Sequence, residues 1–384
     1  MKVVRLLYES FLEESKKLKT DRMILLIALI IPILVNLMVG WELSKGVMDH
    51  IPLGVVDEDN SPLSRQLVQY FADNETFALT YYAQNQEELQ ELISHSKIKA
   101  GLVIPSHFSE DVTALRSPSV LMIYDGSHMS ITSVAKAKAS EILLTMRTGA
   151  AIKQLEGRLL MTEEEAYQTA MPIAFETRTL YNPAKNFNYF MTPGYGTIIC
   201  QPGIGLTAVL CITSMPKRKK QDILHYMGGK VLFYGGLGSI AFIINILVQV
   251  FLFKIPCRGS LFIAFFFSIL LAMAVAAMAV AVSAWMPKRT IAIAGIGLLL
   301  LPNSVMAGYT WPLLSMSAFY QKTAYLIPFY HYGDNIRDLF LKGSMQHPLS
   351  DILFLILFTL AMVWIAASKF FFFQPLLTKE DKPL

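Results

Sequence analysis

Cysteine is scarce: three residues, Cys200, Cys211 and Cys257, in a chain of 384. Two sit inside one apolar run and the polar segment 42–188 has none, which excludes a disulfide framework and a thiolate metal cluster. They read as small packing residues. Charge is low as well, 16% against roughly 25% in average soluble chains. No G-x-S-x-G, H-E-x-x-H or C-x-x-C motif occurs, and His95 and His107 each stand alone, as solvated surface residues do. Gly228-Gly229-Lys230 lacks both the earlier glycine and the following Ser or Thr of a phosphate loop. The chain therefore offers no catalytic constellation, no metal site and no nucleotide-hydrolysing site of its own.

What it has is apolar length. Hydrophobic residues make up 54% of the chain and gather into six runs: 23–41, 189–213, 231–253, 260–285, 291–314 and 352–368. A helix needs about 20 apolar residues to cross a hydrocarbon core ~30 Å thick. Helices packed in water keep a polar stripe, and these runs have none. The expected fold class is a polytopic α-helical membrane protein with six transmembrane helices. No small-x-small cleavage site follows the first run, so it reads as a retained signal-anchor, kinked at Pro32. Ahead of it, residues 1–22 mix Lys2, Arg5, Lys16, Lys17, Lys19 and Arg22 with apolar residues near helical spacing. That pattern suits an amphipathic helix on the membrane surface, the alternative being a disordered basic leader.

Between the first and second runs, residues 42–188 alternate strand-like pieces (52–56, 77–82, 100–104, 120–124) with helix-like ones (62–71, 87–94, 131–160, 162–170). Such alternation predicts an inserted α/β domain. It carries 12 Lys and Arg against 19 Asp and Glu, whereas the rest of the chain is basic. Asp57-Glu58-Asp59-Asn60, before Ser61-Pro62, reads as a turn with a helix cap, since the glycine and glutamate of a calcium loop are missing.

Positive charge sets the expected topology. Lys217, Arg218, Lys219, Lys220 and Lys230 follow the second run, Lys288 and Arg289 follow the fourth, and Lys369, Lys379 and Lys382 lie in and before the tail 374–384. Together with the basic leader they fall on one face, which the positive-inside rule makes cytoplasmic; Lys254 and Arg258 oppose it weakly. Both termini are then cytoplasmic and the 42–188 domain extracytoplasmic. No run contains an Asp or Glu, the groups on which ion-coupled carriers depend, so the energy must come from a partner chain. Asn36, Gln201, Asn245, Gln249 and Asn303 are the polar groups within the runs, suited either to substrate contact or to hydrogen bonds between helices. The loop 214–226 is either a partner's grip or a topology signal alone. Residues 315–348 mix aromatics, prolines and few charges, as re-entrant outer helices do, with Arg337 and Asp338 expected to pair.

Several phrases, in order, resemble the permease subunits of ABC-2 type exporters, in the branch with a large extracytoplasmic domain after the first span. They are Gly54-Val-Val-Asp-Glu-Asp-Asn-Ser-Pro-Leu-Ser64, Ala100-Gly-Leu-Val-Ile-Pro105 with Phe108, Tyr124-Asp-Gly-Ser127, Tyr181-Asn-Pro183, Phe190-Met-Thr-Pro-Gly194, Ala307-Gly-Tyr-Thr-Trp-Pro312 and the stretch 328–343. The resemblance implies a homo- or heterodimer of permeases in a bacterial inner membrane. Each would dock on a cytoplasmic ATPase that holds the ATP and magnesium, this chain holding no cofactor. A periplasmic adaptor and an outer-membrane channel are further implied partners; nucleic acid is not. The loop that couples to the ATPase corresponds to Pro216, Lys217, Arg218, Lys219, Lys220, Gln221 and Asp222, where the family's acidic-basic-acidic run is replaced by a basic one. Spans two and five would line the path, with Gln201, Asn245, Gln249 and Asn303 as its polar residues, and amphipathic small molecules or drugs as cargo. The rival reading is a membrane-anchored receptor that binds its ligand in the 42–188 domain.

Overall fold

The computed structural model describes residues 2–114, 116–173, 177–211 and 220–373. Contacts divide the chain into two compact units, Met1–Gly46 with Thr179–Leu384, and Val47–Arg178.

Helix α1 (Lys2–Thr20) buries Leu6, Ser10 and Glu14, one side chain per turn. This stripe, rather than the more apolar Val4 and Tyr8, faces protein; those two are exposed. The first apolar run begins with α2 (Met23–Leu25), passes through a π turn at Leu26–Ile30 and continues as α3 (Ile31–Glu42). Pro32 has no N–H to donate to the preceding turn, and the widened π turn absorbs the break.

The Val47–Arg178 unit is built on four strands, β1 (Ile51–Asp57), β2 (Phe77–Tyr82), β3 (Ala100–Ile104) and β4 (Leu121–Tyr124), in the order β2-β1-β3-β4. β1 runs parallel to β2 and β3, while β4 is antiparallel to β3. Its helices are α4 (Pro62–Ala72), α5 (Gln86–Ser94), α6 (Phe108–Thr113), α7 (Met129–Leu159) and α8 (Glu163–Ala170). Side chains alternate across a strand. Leu53, Val55, Leu102 and Ile104 therefore meet Leu67 and Phe71 of α4, Phe108 of α6 and Ala135 and Ala139 of α7. On the other face Val56 and Val103 meet Leu89 of α5. Ser61, Asn85 and Thr162 cap α4, α5 and α8.

The other unit continues with α9 (Phe187–Ala208), α10 (Lys220–Leu247, prolonged by a π turn at Val248–Leu252), α11 (Leu261–Trp285), α12 (Arg289–Leu300), α13 (Asn303–Met306), α14 (Ala318–Ala324), α15 (Tyr330–Leu341) and α16 (Pro348–Phe373). Its core centres on α11, whose Ala274, Ala276, Ala277 and Ala279 are buried and let neighbouring helices approach closely. Five helices among the described residues are long and apolar enough to cross a membrane: Met23–Lys45, Asp222–Leu252, Leu261–Trp285, Arg289–Met306 and Pro348–Phe372. The second expected run corresponds to α9, which is not one of the five, because glycine, threonine, proline and amide residues interrupt its apolar sequence. The fifth run ends sooner than residue 314. Pro302 interrupts the helix, α13 adds a single turn, and Gly308 turns the chain at φ +81°. The third run starts earlier than residue 231, because residues 221–226, read as part of the loop 214–226, already belong to α10.

Candidate functional site

Two prolines, Pro193 and Pro202, stand inside α9, and each removes a backbone donor from the helix ladder. At the first break the Gly194 N–H donates to the Tyr309 hydroxyl, at 2.8 Å. That hydroxyl lies 2.9 Å from the Met191 carbonyl and 3.2 Å from that of Phe190, so one phenol bonds the helix beside the break. Tyr309 follows the turn at Gly308 and is clamped by Arg337 of α15. The guanidinium lies 3.9 Å from the centre of the Tyr309 ring and 4.2 Å from that of Phe190, and donates to the Tyr309 carbonyl at 2.8 Å. Arg337 and Asp338 do not pair, contrary to the expectation from sequence. They are adjacent on a helix and point apart; Arg337 has Asp334 at 3.7 Å, and Asp338 takes Lys342 at 2.8 Å and Gln346 at 3.2 Å.

The amides of the expected path also converge on α9. Asn36 donates to the Gly196 carbonyl at 3.1 Å and to Cys200 Sγ at 3.3 Å. Gln249, in the π turn that ends α10, donates to the Thr192 carbonyl at 2.9 Å. Asn303 donates to Gln201 Oε1 at 2.8 Å. Asn245, one turn before Gln249, packs against the bare Cα of Gly196, and neither its Nδ2 nor its Oδ1 has a partner among the described residues. Gln201 Nε2 and Gln249 Oε1 are likewise unpartnered. All four path residues are buried; Asn303 lines a largely apolar cavity of about 710 Å³ between α11, α12 and α16.

A second polar cluster joins α1 to α10. Lys230 is 1% exposed and ion-paired to Glu14, which also accepts from Tyr234 at 2.7 Å and Lys17 at 2.9 Å. Lys230 is thus not a loop cation. Beside it Ser10 donates to the Tyr226 carbonyl at 2.7 Å, Tyr226 bonds Glu13, and Lys2 pairs with Asp222 at 3.0 Å. A Cβ on Gly229 would lie 2.5 Å from the Leu7 carbonyl, so only glycine permits this approach of two backbones. Burial works to raise the Glu14 pKa; the charge of Lys230 and the hydrogen bonds from Lys230, Tyr234 and Lys17 outweigh it, and the net direction is down. Sequence reasoning missed Glu14. Its signal was the four-residue spacing Leu6, Ser10, Glu14.

Of the expected coupling loop, Pro216, Lys217, Arg218 and Lys219 lie outside the described residues, Lys220 and Gln221 open α10, and Asp222 pairs with Lys2. In the Val47–Arg178 unit, Asp57 accepts from Asp59 and Asn60 N–H and from the Ser64 hydroxyl, the geometry of a turn leading into a cap. Asp125 pairs with Lys99 at 2.6 Å and accepts from Ser127 N–H at 3.0 Å; those contacts, Lys99 foremost, hold its carboxyl below the usual carboxylate range. No group of three metal-ligating residues occurs among the described residues.

Long apolar helices whose buried polar groups bond helix to helix define a multi-pass helical membrane protein. Comparison sharpens the class: the family model for the ABC-2 family transporter protein matches residues 22–368, and the chain belongs to that family. It is 25% identical over 356 residues to the probable multidrug ABC transporter permease YbhS of Escherichia coli (strain K12), covering 90% of this chain and 91% of that protein. It is 19% identical over 324 residues to YbhR of the same organism, a protein of the same description, covering 82% and 84%. ABC transporter G family member 20 of Dictyostelium discoideum is 23% identical over 325 residues, 79% of this chain and 42% of that protein. The chain is therefore a transport subunit rather than an enzyme, and its family implies a partner ATPase subunit.

Proposed function

We propose that this chain is the permease subunit of an ATP-binding-cassette exporter that moves amphipathic small molecules out across a bacterial inner membrane. A separate cytoplasmic subunit supplies the power by hydrolysing magnesium-bound ATP. In this reading α9 is also a span, the second of six, both termini are cytoplasmic, and the Val47–Arg178 unit lies outside. Two permeases pair around the path, which Gln201, Asn245, Gln249 and Asn303 line on the α9 side. The basic stretch from Pro216 to Asp222 meets the ATPase. A periplasmic adaptor and an outer-membrane channel complete the route.

One observation carries the reading. α9 is broken by proline and held in shape by side chains of other segments, Asn36, Gln249, Asn303 and Tyr309, so a shift of those segments re-forms its hydrogen bonds. A helix of that kind can alternate between shapes as a path opens and closes. The charge pattern supports the orientation, even with Lys230 set aside, and the names of the two bacterial relatives support the cargo class.

The test is transport in inverted membrane vesicles that contain the chain and its ATPase. ATP-dependent accumulation of an amphipathic fluorescent dye is expected, and it should vanish when the ATPase carries a hydrolysis-dead substitution. Equal accumulation without ATP refutes the reading, as do reporter tags at residues 120 and 219 that face the same compartment.

A further inference from the structure

We propose that the Val47–Arg178 unit carries a binding site for an amphipathic anion: a single apolar chain ending in a carboxylate or phosphate. A cavity of about 570 Å³ opens between α6, the segment before β4, and α7. Small-molecule sites run from about 300 to 1,000 Å³ and are mostly apolar with a few polar groups. Here Leu67, Phe108, Val112, Val120, Leu143 and Met146 form the apolar wall. The wall is held in place, because Gln154 of α7 donates to the Val112 carbonyl and Arg158 to that of Thr113, which pins the end of α6.

The charged groups lining this cavity are of one sign. Arg116 and Arg147 are the charged residues among those described as lining it, and none of the lining residues carries a carboxylate, although the segment as a whole is acidic. Arg116 is held by Asp111 at 2.9 Å. Arg147 forms no ion pair or hydrogen bond among the described residues. A guanidinium matches the planar fork of a carboxylate or phosphate with two parallel bonds. An apolar pocket with a cationic rim selects a molecule with an apolar body and an anionic end. A neutral molecule of the same shape leaves Arg147 unanswered. The inference rests on this unit alone and stands whether or not the chain exports its cargo.

The full chain in lipid nanodiscs, titrated with dansyl-labelled undecanoate against empty nanodiscs, tests it. Saturable binding is expected for the carboxylate, with the neutral amide of the same probe weaker by about tenfold or more, the ratio that ~1.4 kcal/mol produces. Arg147→Gln, at an exposed position, should lose the same factor, Arg147→Lys should recover part of it, and Ala151→Phe, which fills the cavity, should abolish binding. Displacement by decanoate alone assigns a carboxylate end, and displacement by decyl phosphate a phosphate end; either supports the site. Binding equal for carboxylate and amide, or unchanged in both Arg147→Gln and Ala151→Phe, overturns it.

Discussion

α9 and α11 lie side by side in one apolar core and reach their stability by opposite means. α11 has 25 residues without a glycine or proline, and its buried face is mostly alanine, leucine, valine and phenylalanine. Its ladder needs nothing from outside; Ser268 adds one contact, to the Tyr332 hydroxyl at 2.9 Å. α9 has 22 residues with two internal prolines and four glycines, and side chains of other segments bond to its backbone. Apolar side chains gain little by leaving lipid for protein, so close packing holds α11 and polar bonds hold α9. The first makes a post; the second makes a part whose shape follows its neighbours.

The largest break in this contrast comes from the glycines. A Cβ at Gly203 would lie 2.5 Å from the Ile27 carbonyl, which is backbone and cannot swing away. Gly203→Leu should therefore separate α9 from the first span and cost ~3 kcal/mol or more, beyond the usual overpacking range. Ala276→Gly on α11 should cost only about 1 kcal/mol. Thermal unfolding of the purified chain in a fixed detergent compares them, and equal losses would erase the distinction.

Of comparable size is the clasp between α1 and α10. Lys230→Met leaves the Glu14 carboxylate buried without its main partner, a change that typically costs about 3–5 kcal/mol. Glu14→Leu combined with Lys230→Met should recover most of that loss. Acid sharpens the comparison, because this clasp titrates and the amide contacts of α9 do not. The folded pKa of Glu14 lies below its ordinary 4.5, so its contribution is present above that value and fades as pH falls through the lowered one. The distance between spin labels on α1 and α10 should show the helix loosening at low pH, and Glu14→Gln should remove that pH dependence.

The post was easier to foresee than the yielding helix, for a physical reason. Apolar length and strand–helix alternation are local properties. They give α11, α16 and the sheet of the Val47–Arg178 unit to within a few residues; β4, for instance, begins at Leu121 against an expected 120. Polar pairing is not local. Lys230 looks like a loop cation until Glu14, 216 positions away, is laid against it. Tyr309 looks like the end of a span until Pro302 stops the helix and Gly308 turns the ring toward the gap at Pro193. Motifs such as Phe190-Met-Thr-Pro-Gly194 and Ala307-Gly-Tyr309 were legible as separate phrases; their meeting through Arg337 was not.

Tyr309→Phe tests that meeting with one atom. The ring stays under Arg337, while the Gly194 N–H and the carbonyls of Phe190 and Met191 lose their hydroxyl in a buried place. Leaving such groups unpaired costs about 1–3 kcal/mol. Transport should fall more than stability does, since the helix break is then free to close on itself. Tyr332→Phe, which removes a hydroxyl from Ser268 of α11 and Thr197 of α9, serves as the control and should cost less, because Ser268 keeps its bond to the Ala264 carbonyl and Thr197 its bond to the Gly194 carbonyl.

The smallest effect on stability belongs to Asn245 and tells the most about α9. Asn245 and Gln249 stand one turn apart and both face α9, but Gln249 donates to the Thr192 carbonyl while Asn245 bonds to nothing among the described residues. Gln249→Leu should cost about 1–3 kcal/mol, because it strips a buried bond. Asn245→Val removes two unsatisfied polar atoms and should leave stability unchanged or slightly raised, since burying a polar group without a partner is itself costly. Transport is where Asn245 should matter. If α9 changes shape during export, its carbonyls at Thr192 and Gly196 turn, and an amide with both ends free is placed to meet them. A variant that unfolds no more easily yet transports several-fold more slowly identifies Asn245 as a bond held in reserve. A variant that loses as much stability as Gln249→Leu shows instead that the amide is already satisfied in the resting shape.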